Sequence, residues 1–335
     1  MRLIFIRHAE PDYEHNTLTE RGFAESRILA NRVPKWDVER FFVSPLARTS
    51  LTAEPSLKAM GRTAEVLPWM REFSYGIHDP LTGAWQVPWD LMPQYWTNDP
   101  LLQDKNHYYE NNVLQSAPEY EPAVHALRNG MDALLAEYGY YRKDGYYLTD
   151  DAVTNGDDER TLVFFGHLGA NFEAIGYLLN IAPPVLKQAV YLAPTSICIL
   201  NAEKRQHGDP NGWKAEGNAH SGAGSPAAFP GAMDAASARA AVSSESANTA
   251  DARAVVSSGV IDAVDVGCSS RRRDLSEAAA QIDPASYWKD GTYADVTGRP
   301  GIAMFRAQVL GDVTHLLDAG QPLSESGSFA PVLNG

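Results

Sequence analysis

Four side chains in this sequence stand where a short apolar run gives way to polar punctuation, and together they could hold an oxyanion. Arg7 and His8 follow residues 3–6, Arg48 follows residues 40–43 and the pair Ser44-Pro45, and His167 follows residues 161–165. Arginine presents a planar fork of charged donors that matches phosphate oxygens. Imidazole is the side chain able to attack, donate or accept near neutral pH. Two guanidinium groups and two imidazoles meeting at one place would make a compact cationic cup for a tetrahedral oxyanion such as phosphate. Taken singly, each has an ordinary reading: a surface Arg-His pair, a helix-end ion-pair partner at Arg48, a core histidine at His167. Only their joint placement points to chemistry.

For these residues to meet, the apolar runs must be neighbouring strands. Each run is short and β-rich, as strands buried on both faces are. Helical patterns follow or intervene at 19–31, 46–60, 121–138 and 170–180. The alternation predicts an α/β fold, a three-layer α/β/α sandwich around a mostly parallel central sheet. In open sheets of this kind ligands sit beyond the carboxyl ends of the strands, which is where all four residues fall. Ser44-Pro45 reads as an N-cap followed by proline in the first helical turn. Arg48 then lies near a helix N-terminus, whose free amides and dipole also favour anions. Gly166 and Gly169, around His167, would allow close backbone approach to a ligand.

At this point the sequence resembles the histidine phosphatase superfamily, also called the phosphoglycerate mutase-like family. Arg7-His8-Ala9-Glu10 is similar to its signature, and Leu18-Thr19-Glu20-Arg21-Gly22 to the helix-opening motif that follows it. Ser44-Pro45-Leu46-Ala47-Arg48-Thr49 resembles the second arginine motif. Glu72 and Gly76 match the segment carrying the acidic residue, and Gly166-His167 matches the second histidine motif. The likeness spans about residues 1–205 and 299–317. It implies a phosphoglycerate mutase-like fold and a phosphohistidine route. His8 would be the nucleophile, with its second ring nitrogen held by a backbone carbonyl, and Glu72 the general acid and base. Arg7, Arg48, His167 and Leu168 would bind the phosphoryl group, with no metal and no cofactor. Ala9 stands where the family usually has glycine. Leu168 follows His167 where phytase-like branches carry Asp, which leaves Glu72 as the acid/base candidate.

The rest of the chain bounds this reading. With 335 residues, 44% of them hydrophobic, a sizeable core is available. A net charge of −14 argues against nucleic acid and against an anionic membrane as partners. The apolar start is too short for a signal-peptide core or a span. Cys198 and Cys268 form no zinc or disulfide spacing, so a soluble, cytoplasmic protein is expected. Residues 1–205 are expected to form the catalytic domain, with an aromatic lid candidate at 77–118 that contains Trp85, Trp89 and Trp96. Residues 206–298 read as a partly flexible Ala/Ser/Gly-rich insertion in which Arg271-Arg272-Arg273 is a solvated cluster. Residues 299–335 return a final strand, 304–310, expected to pair with 196–201, and a C-terminal tail. The expected partner is a small-molecule phosphate ester; the oligomeric state stays open. Lys105 is the only Lys or Arg between Ile77 and Leu127, which favours a phosphatase for a monophosphate with an apolar body. A phosphoglycerate-type phosphomutase and a non-catalytic phospho-ligand sensor are the alternatives.

Overall fold

Runs such as Leu-Ile-Phe-Ile and Leu-Val-Phe-Phe extend because aromatic and β-branched side chains fit a pleated surface buried on both sides. The computed structural model describes residues 1–154, 159–205 and 301–326. Within them β1 (Arg2–Arg7), β2 (Arg40–Val43), β3 (Glu65–Val66), β4 (Tyr140–Lys143), β5 (Tyr146–Thr149), β6 (Thr161–Gly166), β7 (Ile197–Arg205) and β8 (Gly301–Asp312) form one eight-stranded sheet. Its order is β3-β2-β6-β1-β7-β8-β5-β4. The four strands from β3 to β1 are parallel, and every join beyond β1 is antiparallel. Because β8 and β4 alternate with β7 and β5, six of the eight strands run one way. The sheet is therefore mixed and mostly parallel. The expected pairing of the returning strand is present, with Asn201 opposite Arg306 and Ala202 opposite Phe305. The expected insertion at 206–298, including Cys268 and Arg271–Arg273, lies outside the described residues, as do 299–300 and 327–335.

Alternation along the strands divides the core into two layers. Leu3, Phe5, Phe42, Leu162 and Phe164 face one side, where α3 (Tyr120–Glu137) and α4 (Leu168–Leu179) contribute Met131, Leu135, Phe172 and Ile175. Ile4, Ile6, Phe41, Val43, Val163 and Phe165 face the other, against Leu29 of α1 (Glu20–Leu29) and Ala53 of α2 (Ala47–Met60). Two shorter helices complete the layers, α5 (Pro183–Ala189) and α6 (Thr314–Asp318). Across the first face Phe164 stacks between Phe5 and Phe42, with ring centroids 4.9 Å from each. Among the described residues no helix is long and apolar enough to cross a membrane.

The aromatic segment 77–118 contains only brief regular pieces, such as Ile77–His78 paired with Trp85–Gln86 and the helical turns Pro93–Trp96 and Asn112–Gln115. Side-chain-to-backbone bonds organise it instead. The buried Asp79 carboxylate accepts from the amides of Leu81 (3.0 Å), Thr82 (2.8 Å) and Met92 (2.9 Å), closing the loop 79–92.

The Phe5–Phe164–Phe42 stack is carried by three adjacent strands, all of which end at the candidate site. Phe164→Ala should cost about 3–5 kcal/mol, the range for emptying a buried aromatic position. Urea unfolding followed by circular dichroism reads that loss directly; a change under about 1 kcal/mol would mean that the stack contributes little.

Candidate active site

β1 and β6 lie in register, with Arg7 opposite Gly166, so His8 and His167 leave the sheet side by side at the same edge. The His8 amide donates to the Gly166 carbonyl at 2.9 Å. The two imidazoles stand edge to face, 5.2 Å between centroids, and both are buried. Ser44 comes from the next strand end, β2, and its hydroxyl lies 2.6 Å from His167 Nε2. This corrects the sequence expectation for Ser44-Pro45. The residue before α2 is Leu46, with no side-chain cap, and the Ser44 hydroxyl accepts the Leu46 amide at 3.3 Å while bonding His167, without capping α2 itself. Arg48 nonetheless lies in the first turn of α2, as expected.

Backbone bonds fix the turn that carries Arg7 and His8. Thr195 donates its amide to the carbonyls of Arg7 (3.1 Å) and His8 (3.3 Å) from a left-handed conformation, φ +59°. A β-branched residue adopts that conformation only where its surroundings impose it. Here the Thr195 hydroxyl is held 3.1 Å from His315 Nε2 of α6. The Arg7 guanidinium donates through Nη1 to the carbonyl of Leu192 and to that of Ser326, the latter at 3.2 Å. Gly22, opening α1, touches the Glu10 backbone so closely that a Cβ there would stand 2.2 Å from the Glu10 oxygen.

His8 Nδ1 lies 2.7 Å from the Ala9 carbonyl oxygen. A carbonyl only accepts, so Nδ1 carries the proton and Nε2 keeps its lone pair. Burial, with the charges of Arg7 and Arg48 beside it, holds the His8 pKa well below the usual 6.5. Burial also depresses His167, helped by His8, Arg48, Arg7 and Arg71. Both rings are therefore neutral near pH 7. Among the described residues, the buried Arg7 Nε, Arg48 Nε and His167 Nδ1 at this edge have no hydrogen-bond partner. Such atoms are rare in native interiors because each forfeits its hydration without compensation.

Glu72 completes the cluster from the loop after β3. Its Oε1 accepts from the amides of Phe73 and Ala170, both at 2.9 Å, and its Oε2 from Gly169 at 3.3 Å. The carboxylate thus sits on the N-terminus of α4, where free amides and the helix dipole favour it. Its field reaches Arg48, whose pKa burial lowers and Glu72 raises. The close approaches at the two glycines serve protein side chains rather than open space for a ligand. A Cβ on Gly166 would stand 2.1 Å from Asn171 Oδ1, and one on Gly169 2.4 Å from the Trp89 ring and 2.7 Å from Glu72 Oε1. Leu168 opens α4 with its side chain in the core, so only its backbone is placed to meet an anion.

All the expected residues (Arg7, His8, Arg48, Glu72, His167 and Leu168) therefore gather at one edge. Sequence reasoning missed Ser44 as the partner of His167, Thr195, Trp89, and Arg71, whose charge is felt at His167 and Arg48. Tyr13, under the Arg48 guanidinium at 5.4 Å, was also missed. The adjacency of Arg71 to Glu72 was the one available signal. Among the described residues no group of three or more His, Cys, Asp or Glu is arranged to hold a metal ion.

Comparison with known proteins matches residues 3–106 to the histidine phosphatase superfamily (branch 1). No curated protein matches by sequence. Similar solved structures include "Mycobacterial hydrolase 1", 16% identical over 63% of this chain and 93% of that one, with a TM-score of 0.40. A mycobacterial glucosyl-3-phosphoglycerate phosphatase is 18% identical over 59% and 89%, with a TM-score of 0.38. A phosphoserine phosphatase from Entamoeba histolytica, in complex with 3-phosphoglyceric acid, is 17% identical over 60% and 90%, with a TM-score of 0.38.

The buried histidines give the fold a predictable pH response. His8 and His167 are held below 6.5, and burial brings His315 to about 4. As pH falls below 6.5 the unfolded chain binds protons that the folded chain refuses, so stability present above 6.5 is lost towards the folded values. Each site contributes a loss of about 1.4 kcal/mol per pH unit within that window. Urea unfolding at about pH 7.5 and about pH 5 should show a smaller acid loss for His315→Gln than for the parent. Equal losses would mean that His315 titrates as a free imidazole.

Proposed function

We propose that this chain, whose residues 3–106 match the histidine phosphatase superfamily (branch 1), is a phosphomonoester hydrolase working through a phosphohistidine on His8. The observation that carries the reading is the set of unpartnered buried atoms, Arg7 Nε, Arg48 Nε and His167 Nδ1, around a neutral His8 whose Nε2 is free to attack. An arriving phosphoryl group supplies the missing acceptors, and two guanidinium charges offset its own.

In the first step the His8 Nε2 lone pair forms a bond to phosphorus while the P–O bond to the alcohol breaks. Glu72 in its acid form, which the approach of the anionic phosphoryl group favours, passes its proton to the departing oxygen. Oε2 is the better placed oxygen for this, since Oε1 already holds two amides at 2.9 Å and Oε2 only one at 3.3 Å. In the second step the Glu72 carboxylate takes a proton from water as the water oxygen bonds phosphorus. The N–P bond then breaks, releasing phosphate and restoring both residues. No step calls for a metal ion or cofactor.

Segment 77–118 acts as a lid in this reading, because the Trp89 ring packs over Gly169, beside Glu72. Its single cation, Lys105, lines a cavity beside Gly176 and Tyr177, towards the other end of α4. The lid therefore brings an aromatic wall and no positive charge to the cup, which favours a monophosphate with an apolar body over a bisphosphate. That preference supports hydrolysis over the phosphomutase alternative.

Purified protein given p-nitrophenyl phosphate in EDTA should release phosphate, and acid-quenched samples should hold acid-labile phosphate on the protein. His8→Ala should abolish both. Turnover that survives in this variant would sink the phosphohistidine route, and efficient phosphate exchange on phosphoglycerate with little hydrolysis would favour the mutase. Glu72→Gln should slow alkyl phosphate hydrolysis by about 100- to 10,000-fold and p-nitrophenyl phosphate less, since that leaving group needs less protonation. Equal slowing of both substrates would remove Glu72 from the proton path.

A further inference from the structure

A second cluster of charge lies towards the far end of α4. Between α3, the C-terminal part of α4, the β4–β5 turn and the loop around 105 is a cavity of about 310 Å³. Lys105, Asn106, Arg128, Asp132, Arg142, Asp144 and Tyr177 are among the residues that line it. Gly169, at the catalytic edge, and Tyr177, in this wall, are eight residues apart, about 12 Å along the helix axis.

Its two arginines are unusual for this protein. The chain holds 42 Asp and Glu against 28 Lys and Arg, so a half-buried guanidinium should find a carboxylate easily. Neither Arg128 nor Arg142 has one within 4 Å among the described residues. Arg128 lies over the rings of Tyr108, Tyr109 and Tyr177 at 5.1–5.4 Å and gives one Nη to the Lys105 carbonyl. Its Nε is buried without a partner among the described residues, and burial lowers its pKa. Arg142 lies 3.7 Å over Tyr177 and donates to the Tyr147 hydroxyl at 2.9 Å.

The two acids of the cavity form no ion pair with these arginines within 4 Å. Asp132 accepts the Tyr177 hydroxyl, leaves Oδ1 unpartnered, and is pushed by burial up to about 6, against the pull of that bond and of Arg142 and Arg128. Asp144 is exposed on the β4–β5 turn. The inner wall is thus two guanidinium forks with donors to spare, and an ammonium stands at the loop that closes it.

We propose that this cavity is a second anion site, separate from the catalytic cup, that takes a small organic dianion through Arg128, Arg142 and Lys105. Its volume lies at the low end for ligand pockets and exceeds the space of a bare oxyanion, which fits a phosphate or carboxylate compound of a few carbon atoms. An occupant would join Lys105 and Asn106, from the aromatic segment, to α3 and α4.

Calorimetric titration of the full-length chain with citrate and with glycerol phosphate tests this. Arg7→Ala plus Arg48→Ala, which empties the cup, should leave one binding event per chain for at least one of the two probes. Adding Arg128→Met, whose stem still packs among the tyrosines, should weaken that event by about tenfold or more. Lys105→Ala, which keeps the carbonyl that Arg128 holds, should weaken it severalfold and guards against a misfolded arginine variant. Binding of citrate but not glycerol phosphate would identify a carboxylate ligand, and the reverse a phosphate ligand. No event after the cup is emptied, or one that Arg128→Met and Lys105→Ala leave unchanged, would overturn the proposal.

Discussion

Two guanidinium groups and two imidazoles occupy one edge of the sheet, largely removed from water, where their positive fields oppose one another. Left to itself such a cluster would spread into solvent, since each charge gains hydration and loses repulsion by leaving. Backbone geometry prevents it. Arg7 and His8 are fixed by the Thr195 amide and by the register of β1 with β6, and His167 by the same register and by Ser44. Both histidines then meet the field in the one way open to them, by staying neutral. The same repulsion that makes the cup costly to assemble leaves His8 with an unprotonated nitrogen.

The parallel half of the sheet supplies that rigidity, and α4 couples it to Glu72. The helix begins immediately after His167, so its first amides lie beside the second imidazole by construction. Glu72 uses those amides as an anchor. A carboxylate among arginines could collapse onto a guanidinium as an ion pair, and no such pair forms within 4 Å here among the described residues. The helix N-terminus holds it off instead. Trp89 closes the remaining side against Gly169, where any side chain would collide with both the indole ring and the carboxylate.

Much of this was legible in the sequence. Strands β1, β2 and β6 show as short apolar runs, and α1 to α4 as periodic patterns, because burial on two faces and on one face leave different spacings. The returning strand β8 was legible too, and so was the edge at which Arg7, His8, Arg48 and His167 meet. Strand β3 was missed because it is only two exposed residues long and exists by pairing with β2. The β4–β5 hairpin was missed because its tyrosines, arginine and lysine look like surface. Their apolar rings pack only once Phe305 of β8 arrives from about 160 residues away. Ser44 was misassigned for a similar reason: a hydroxyl before a helix has a strong local use, and only the fold reveals that His167 competes for it. Segment 77–118 carried no period because Asp79 and short turns organise it.

Arg7 shows how the last described residues enter the same logic. The Tyr191 hydroxyl donates to the carbonyls of Ser324 (2.8 Å) and Ser326 (3.2 Å), the Ser324 hydroxyl reaches Glu10, and Arg21 reaches the Pro322 carbonyl. This stretch is thereby bound to Tyr191, to Arg21 of α1 and to Glu10 in the turn after β1, and from that position Ser326 accepts from Arg7 Nη1. With Leu192 sharing the same nitrogen, the guanidinium plane has little freedom to swing. A planar fork fixed at one nitrogen presents its remaining donors in a set direction, and Nε is the buried donor left without a partner. An arginine anchored in this way has already lost the rotamer freedom that a mobile one would surrender on meeting a phosphoryl group. In the proposed reaction that difference appears as tighter holding of the transferred group, contributed by backbone carbonyls that need never touch it.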